Sequence, residues 1–255
     1  MTNLVDATYL QPHNKDLWKI FSMDSYFTTD NIRDFRMLDF GCNRGNFLAT
    51  AYGHTREPLR FNPIHYRGLD LNLNAVNQAK ATYPLTAHNI IHYNKYHRSF
   101  NPTGVPGQLA SSYFDIKFDL IIAYSVLTHM TVNEARETIA DLKTLLKPNG
   151  CILFTVWTAE SLEGFYNYTS AGRNLEKTPQ RYSELVSKPF NNILYWLDHE
   201  RSVADVNDID NNSMSAFSSF YKNVNSVMAY FPDAEYLGKP NFPRQFQQMF
   251  KISAA

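Results

Sequence analysis

Between Phe35 and Trp157, short apolar runs alternate with amphipathic stretches five times. The run at 35–40 ends at Gly41 and reads as a buried strand, and residues 46–51 after it read as a helix. A second strand is expected over 66–71, then a helix over 74–82 with Ala75, Val76 and Ala79 on one face. Residues 89–93 suggest a third strand and 118–124 the clearest strand of the chain. A helical stripe over 133–146 (Ala135, Ile139, Leu142, Leu145, Leu146), a turn at 147–150 and a strand over 151–157 complete the series. These apolar runs lack period-two alternation, so both faces should be covered, as in a parallel sheet. Before this series, Leu17, Trp18, Ile20 and Phe21 fit a short amphipathic helix.

The pattern changes after residue 157. Some seventy residues follow without a convincing strand and carry Phe165, Tyr166, Tyr168, Tyr182, Phe190, Tyr195 and Trp196. Two last strands are expected over 227–231 and 246–252, making seven. The expected fold is therefore α/β, a Rossmann-like, mostly parallel seven-stranded sheet with helices on both faces and an aromatic-rich insertion. One domain is expected, divided into an N-terminal lid segment (1–34), a core (35–157), an insert forming a substrate cap (158–226) and closing strands (227–255). Residues 94–115, punctuated by Pro102, Gly104, Pro106 and Gly107, form a long loop of the kind that is functional or mobile.

Composition narrows the partners. Lys plus Arg equals Asp plus Glu at 24 each, which argues against nucleic acid, whose phosphates call for a basic surplus. Two cysteines, Cys42 and Cys151, make neither a disulfide framework nor a zinc pattern, and the histidines show no metal spacing. No run approaches the roughly 18 apolar residues of a membrane span, and residues 1–10 show no signal-peptide pattern, so a cytoplasmic protein is expected. Oligomeric state is not encoded in any of these features.

The chemistry concentrates in Leu38-Asp39-Phe40-Gly41-Cys42-Asn43-Arg44-Gly45, a strand, a glycine turn and a helix start. Such loops let ligand approach the backbone and offer free N–H groups. Asn43 stands where a third glycine is expected; Asn is the non-glycine residue most tolerant of the left-handed region. Asp39 precedes the loop, and Asp70 ends the next strand, where an acid accepts from ribose hydroxyls. Alternatively Asp39 caps the loop and Asp70 caps the following helix.

The loop lacks the Gly-x-Gly-x-x-Gly of dinucleotide sites and resembles the first motif of class I S-adenosylmethionine-dependent methyltransferases. Gly68-Leu69-Asp70-Leu71 resembles the second motif, 118–125 the fourth, and 145–153 the leader into the fifth strand, with Asn149 where glycine is usual. The resemblance covers about half the chain. It implies S-adenosylmethionine as cofactor, with Asp39, Gly41, Asn43 and Gly45 at its methionine half, Asp70 on the ribose and Leu71 on adenine. At the third motif the usual Asp is missing, and the amide oxygen of Asn94 is the candidate for the adenine amino group; a solvent-facing turn is the other reading.

Ligands of open α/β sheets sit beyond the C-terminal strand ends, so the stretch Tyr124 to Met130 should meet the transferred methyl. His129 is the candidate general base and Tyr124 a second pocket residue, touching cofactor and acceptor. Alternatively 128–129 begin a helix capped by Thr128 or Thr131, and Tyr124 packs in the core. Trp157, Tyr166 and Trp18 are candidates for contact with the acceptor, although the insert's rings would equally make a small core of their own. The Ser-Val-Leu-Thr-His-Met stretch and the insert resemble those of bacterial small-molecule and saccharide methyltransferases. The resemblance implies in-line methyl transfer to an O or N atom of a small natural-product or sugar-type molecule. The alternatives are a methyltransferase for RNA ends or proteins, and a non-catalytic module that only binds the cofactor.

Overall fold

Met37–Phe40 is fully buried and forms β1, the central strand of a parallel set. The computed structural model describes residues 26, 34–49, 65–98, 100–158, 193–197, 202–204, 217–239 and 247–254. Trp18 and Tyr166, and the stretch 17–21, lie outside them. The chain forms two units, Met1–Tyr124 with Ala140–Leu153 and Ser253–Ala255, and Ser125–Ile139 with Phe154–Ile252.

In the first unit β2 (Tyr66–Asp70) and β4 (Phe118–Ala123) flank β1, both parallel to it, and β3 (Ile90–His92) runs parallel to β2. The order β3-β2-β1-β4-β5 follows, with β5 spanning Leu146–Thr158. Connection α1 (Leu73–Thr82) starts at Asn72, whose side chain accepts from the Ala75 N–H, and buries Ala75, Val76 and Ala79. The one acid within β4, Asp119, accepts from the Arg36 N–H at 2.7 Å and pairs with Lys147 at 2.6 Å, which ties together the entries to β1, β4 and β5. Gly150 is required there because a Cβ would stand 2.8 Å from the Phe118 carbonyl.

In the second unit, α2 (Val132–Lys143, its last turn in the first unit) opens on a capping box. Thr131 N–H donates to Glu134 Oε2 at 2.7 Å, and Glu134 N–H donates to Thr131 Oγ1 at 3.3 Å. Thr131, not Thr128, is thus the cap. The end of β5 carries Phe154, which stacks on Phe250 of β10 (Gln248–Ser253) at 5.5 Å. β10 pairs with β5 and, antiparallel, with β9 (Ala234–Gly238). These two complete a seven-stranded set. A further three strands join β5 at Trp157 and Thr158: β8 (Phe217–Tyr221) pairs with β5, β6 (Ile193–Leu197) with β8, and β7 (Ser202–Ala204) with β6.

The fold is the expected mostly parallel α/β sheet, with four corrections. The insert is not strandless, because β6, β7 and β8 lie in it. Residues 227–231 are not a strand but belong to α3 (Val224–Tyr230) and its end. Asn223 caps that helix by accepting from the Ser226 N–H at 2.9 Å, and Val227 and Phe231, four apart, share the buried face. A short apolar run suits either period, and the cap decides. The helix expected to reach residue 146 stops at Lys143, where Thr144 and Leu145 turn back by hydrogen bonds to Asp141 and Leu142. Residues 147–150 run inside β5 rather than as a separate turn.

Candidate active site

The glycine loop follows β1 and is shaped by its backbone angles and by its contacts with β2 and Tyr83. Gly41 (φ +82°) and Gly45 (φ +80°) adopt the left-handed region, and so does Asn43 (φ +49°), as expected of an asparagine in a glycine's place. Asn149 (φ +67°) does the same at the other glycine substitution. The Gly41 N–H donates to the Leu69 carbonyl at 2.7 Å. A Cβ at Gly45 would lie 2.6 Å from the ring of Tyr83, so the loop closes over an aromatic side chain with no room to spare.

Asp70 holds the loop from β2. Its Oδ2 accepts the Asn43 N–H at 2.7 Å and its Oδ1 the Asn72 N–H at 2.8 Å. It is not the helix cap, a task that falls to Asn72. A carboxylate oxygen has two lone pairs, so one on each oxygen is left for a pair of adjacent hydroxyls. The arrangement therefore fits a ribose. Burial raises the Asp70 pKa, against the lowering effect of the two N–H donors.

Asp39 lies in a buried polar cluster. Its Oδ2 accepts from the Tyr66 hydroxyl at 2.7 Å, and desolvation lifts its pKa to about 7. Tyr66 and Cys42 share the cluster: a Cβ on Gly68 would stand 2.9 Å from Cys42 Sγ and 3.0 Å from the Tyr66 hydroxyl. Leu71 is half-buried, and its carbonyl accepts from His92 Nε2 at 3.0 Å, which fixes the hydrogen on that nitrogen. Asn94 is exposed, its N–H donates to the Tyr113 hydroxyl at 3.0 Å, and its Oδ1 accepts from Asn101 Nδ2 at 3.2 Å. One lone pair of that oxygen is therefore engaged. The loop 94–115 is laced by bridges Lys95–Val105 and His97–Asn101 and by a 3-10 turn at Ala110–Tyr113.

Tyr124 ends the first segment of the first unit, half-buried. In the second unit, His129 ends the 3-10 turn Leu127–His129, also half-buried. Thr128 is buried and donates to the Ser125 carbonyl at 3.0 Å, and Ser219 Oγ donates to the Leu127 carbonyl at 3.2 Å, so the turn carrying His129 is anchored. Trp157 is half-buried on β5, its ring 5.9 Å from that of Phe220. Among the described residues, no three His, Cys, Asp or Glu side chains gather as for a metal, and no helix is long and apolar enough to cross a membrane.

Sequence reasoning missed Tyr66, His92 and Gln247, which act through contacts 27, 21 and 122 residues away. No motif signals such partners.

A parallel sheet in this order, a left-handed glycine loop after β1 and an acid ending β2 define a Rossmann-like, S-adenosylmethionine-dependent methyltransferase. The methyltransferase domain family matches residues 19–205, and the chain belongs to that family. No curated protein matches the chain. Among solved structures, it is similar to an S-adenosylmethionine-dependent methyltransferase from Clostridium acetobutylicum at 10% identity and TM-score 0.52, covering 97% of this chain and 94% of that one. It is also similar to a protein studied for the conversion of a disulfide bond into a thioacetal group during echinomycin biosynthesis, at 10% identity and TM-score 0.50, covering 97% and 82%. At such identities the likeness is one of fold.

Proposed function

We propose that the chain methylates an oxygen or nitrogen of a small natural-product or sugar-type molecule. The observation that carries the reading is the Asn43–Asp70 bond, which joins the glycine loop to the carboxylate that would take a ribose. Bound there, the cofactor supplies an electrophilic methyl group. Gly41, Asn43, Gly45 and Asp39 hold its methionine half, Asp70 its ribose, Leu71 and Asn94 its adenine. Tyr124 touches cofactor and acceptor, and His129 takes the proton released from the acceptor atom. The aromatic stretch 158–226 covers the acceptor with Trp157 and Tyr166, Trp18 closes from residues 1–34, and 227–255 complete the sheet. Balanced charge supports a small acceptor rather than RNA.

Calorimetry with S-adenosylmethionine and its demethylated product tests the cofactor, and methyl transfer to a panel of phenols, sugars and amino sugars tests the acceptor. Binding is expected to both cofactor forms. Absence of both would overturn the reading, and binding with transfer only to RNA ends or protein side chains would replace the acceptor class. Asp70→Ala should weaken S-adenosylmethionine binding by about 1–3 kcal/mol, since it removes both the hydroxyl acceptors and the tether of Asn43. Unchanged affinity would refute the ribose assignment.

A further inference from the structure

Two residues beyond β4, Ser125 adopts a left-handed backbone (φ +57°). This conformation is uncommon for a residue with a Cβ, and it persists only where the surroundings enforce it. They do so through a closed ring of three hydrogen bonds within the second unit. The Ser125 N–H donates to Thr155 Oγ1 at 2.9 Å. The Thr155 hydroxyl donates to Gln247 Oε1. Gln247 Nε2 donates to Ser125 Oγ at 2.8 Å. Thr155 and Gln247 are buried, 0% and 3% exposed, on segments 30 and 122 residues from Ser125.

The ring has one direction. Within the ring the Thr155 hydroxyl and the Gln247 amide each donate one bond and accept one, whereas Ser125 Oγ accepts from Gln247 and keeps its own hydrogen. That hydrogen has no acceptor among the described residues. Ser125 is half-buried and lies beyond the C-terminal end of β4, where open α/β sheets place their ligands.

We propose that Ser125 is a specificity-determining residue that donates its hydroxyl hydrogen to an oxygen lone pair of the methyl acceptor. Thr155 and Gln247 are its positioning residues. The proposal rests on the methyltransferase reading above and deepens it, by selecting acceptors that carry a hydroxyl, carbonyl or carboxylate oxygen near the methylated atom. Ser125 is no nucleophile here, since Gln247 offers it a donor and not a base. Its own donation fixes the acceptor's orientation, which in-line transfer requires.

The test is Ser125→Gly in the full chain, because glycine keeps the left-handed backbone without strain while removing the hydroxyl, both as the proposed donor and as the acceptor of the Gln247 Nε2 bond. Binding of S-adenosylmethionine is measured by calorimetry, and methyl transfer is followed on the phenol, sugar and amino-sugar panel. The expected result is unchanged cofactor affinity and a roughly tenfold loss of kcat/KM for the best panel member, carried mainly by KM. Thr155→Val should give a partial loss of the same kind, rescued by Thr155→Ser. An unchanged KM in Ser125→Gly overturns the proposal. So does a wild-type chain that binds cofactor yet methylates none of these oxygen-bearing probes. If the wild-type chain binds no S-adenosylmethionine, the parent reading has failed, and the inference falls with it.

Discussion

Stability towards unfolding is expected to fall as pH rises between about 4 and about 7, and Asp39→Asn should remove most of that slope. The cause is burial. Asp39 is 4% exposed, and its folded pKa stands at about 7 against 3.8 for the free side chain. Within that window the folded chain holds a proton that the unfolded chain has released, so raising the pH favours the unfolded state. Below the window both states are protonated, and above it both are ionised. The loss across the window amounts to a few kcal/mol, at about 1.4 kcal/mol per pH step of one. Asp70, whose pKa burial also raises, adds to the slope in the same sense and should account for what Asp39→Asn leaves behind. Tyr66 and Cys42 are pushed up from values already above the window, so they stay protonated throughout. Urea unfolding at a series of pH values checks this. Parallel slopes in the two proteins would mean that Asp39 releases its proton at the same pH folded and unfolded, and would overturn the raised pKa.

His129→Ala should lower turnover by roughly 100-fold while leaving S-adenosylmethionine affinity intact, in the lower part of the range for general bases. The imidazole sits on a turn anchored through Thr128 and Ser219, so truncating it leaves the turn's own hydrogen bonds in place. Single-turnover methyl transfer, followed as the demethylated cofactor appears, makes the comparison. A normal rate in the variant would assign the catalysis to proximity alone.

The cofactor side was legible from the chain because its signals are local. A strand, a glycine turn and a helix start lie within a dozen residues, and each glycine or asparagine there answers to a backbone angle it must itself adopt. Asn43, at φ +49°, bears out the reading that asparagine replaces glycine there by tolerating the left-handed region, and Asn149, at φ +67°, does the same. Asp70 was legible as the acid ending β2, although its two backbone bonds were not.

Elements whose identity depends on distant partners were decided only by the tertiary structure. The apolar run at 227–231 suits strand or helix equally, and the cap at Asn223 with burial of Val227 and Phe231 selects the helix. β6, β7 and β8 are short and depend on one another and on the end of β5 for their ladder bonds, so no window of sequence announces them. By itself the sequence determined the parallel α/β core and the loop chemistry, since hydrophobic period and glycine spacing act between near neighbours. The Tyr66–Asp39 contact and the ring of Ser125, Thr155 and Gln247 arose only on folding, because hydrogen bonds between residues 27 to 122 positions apart exist only once the sheet brings their strands together.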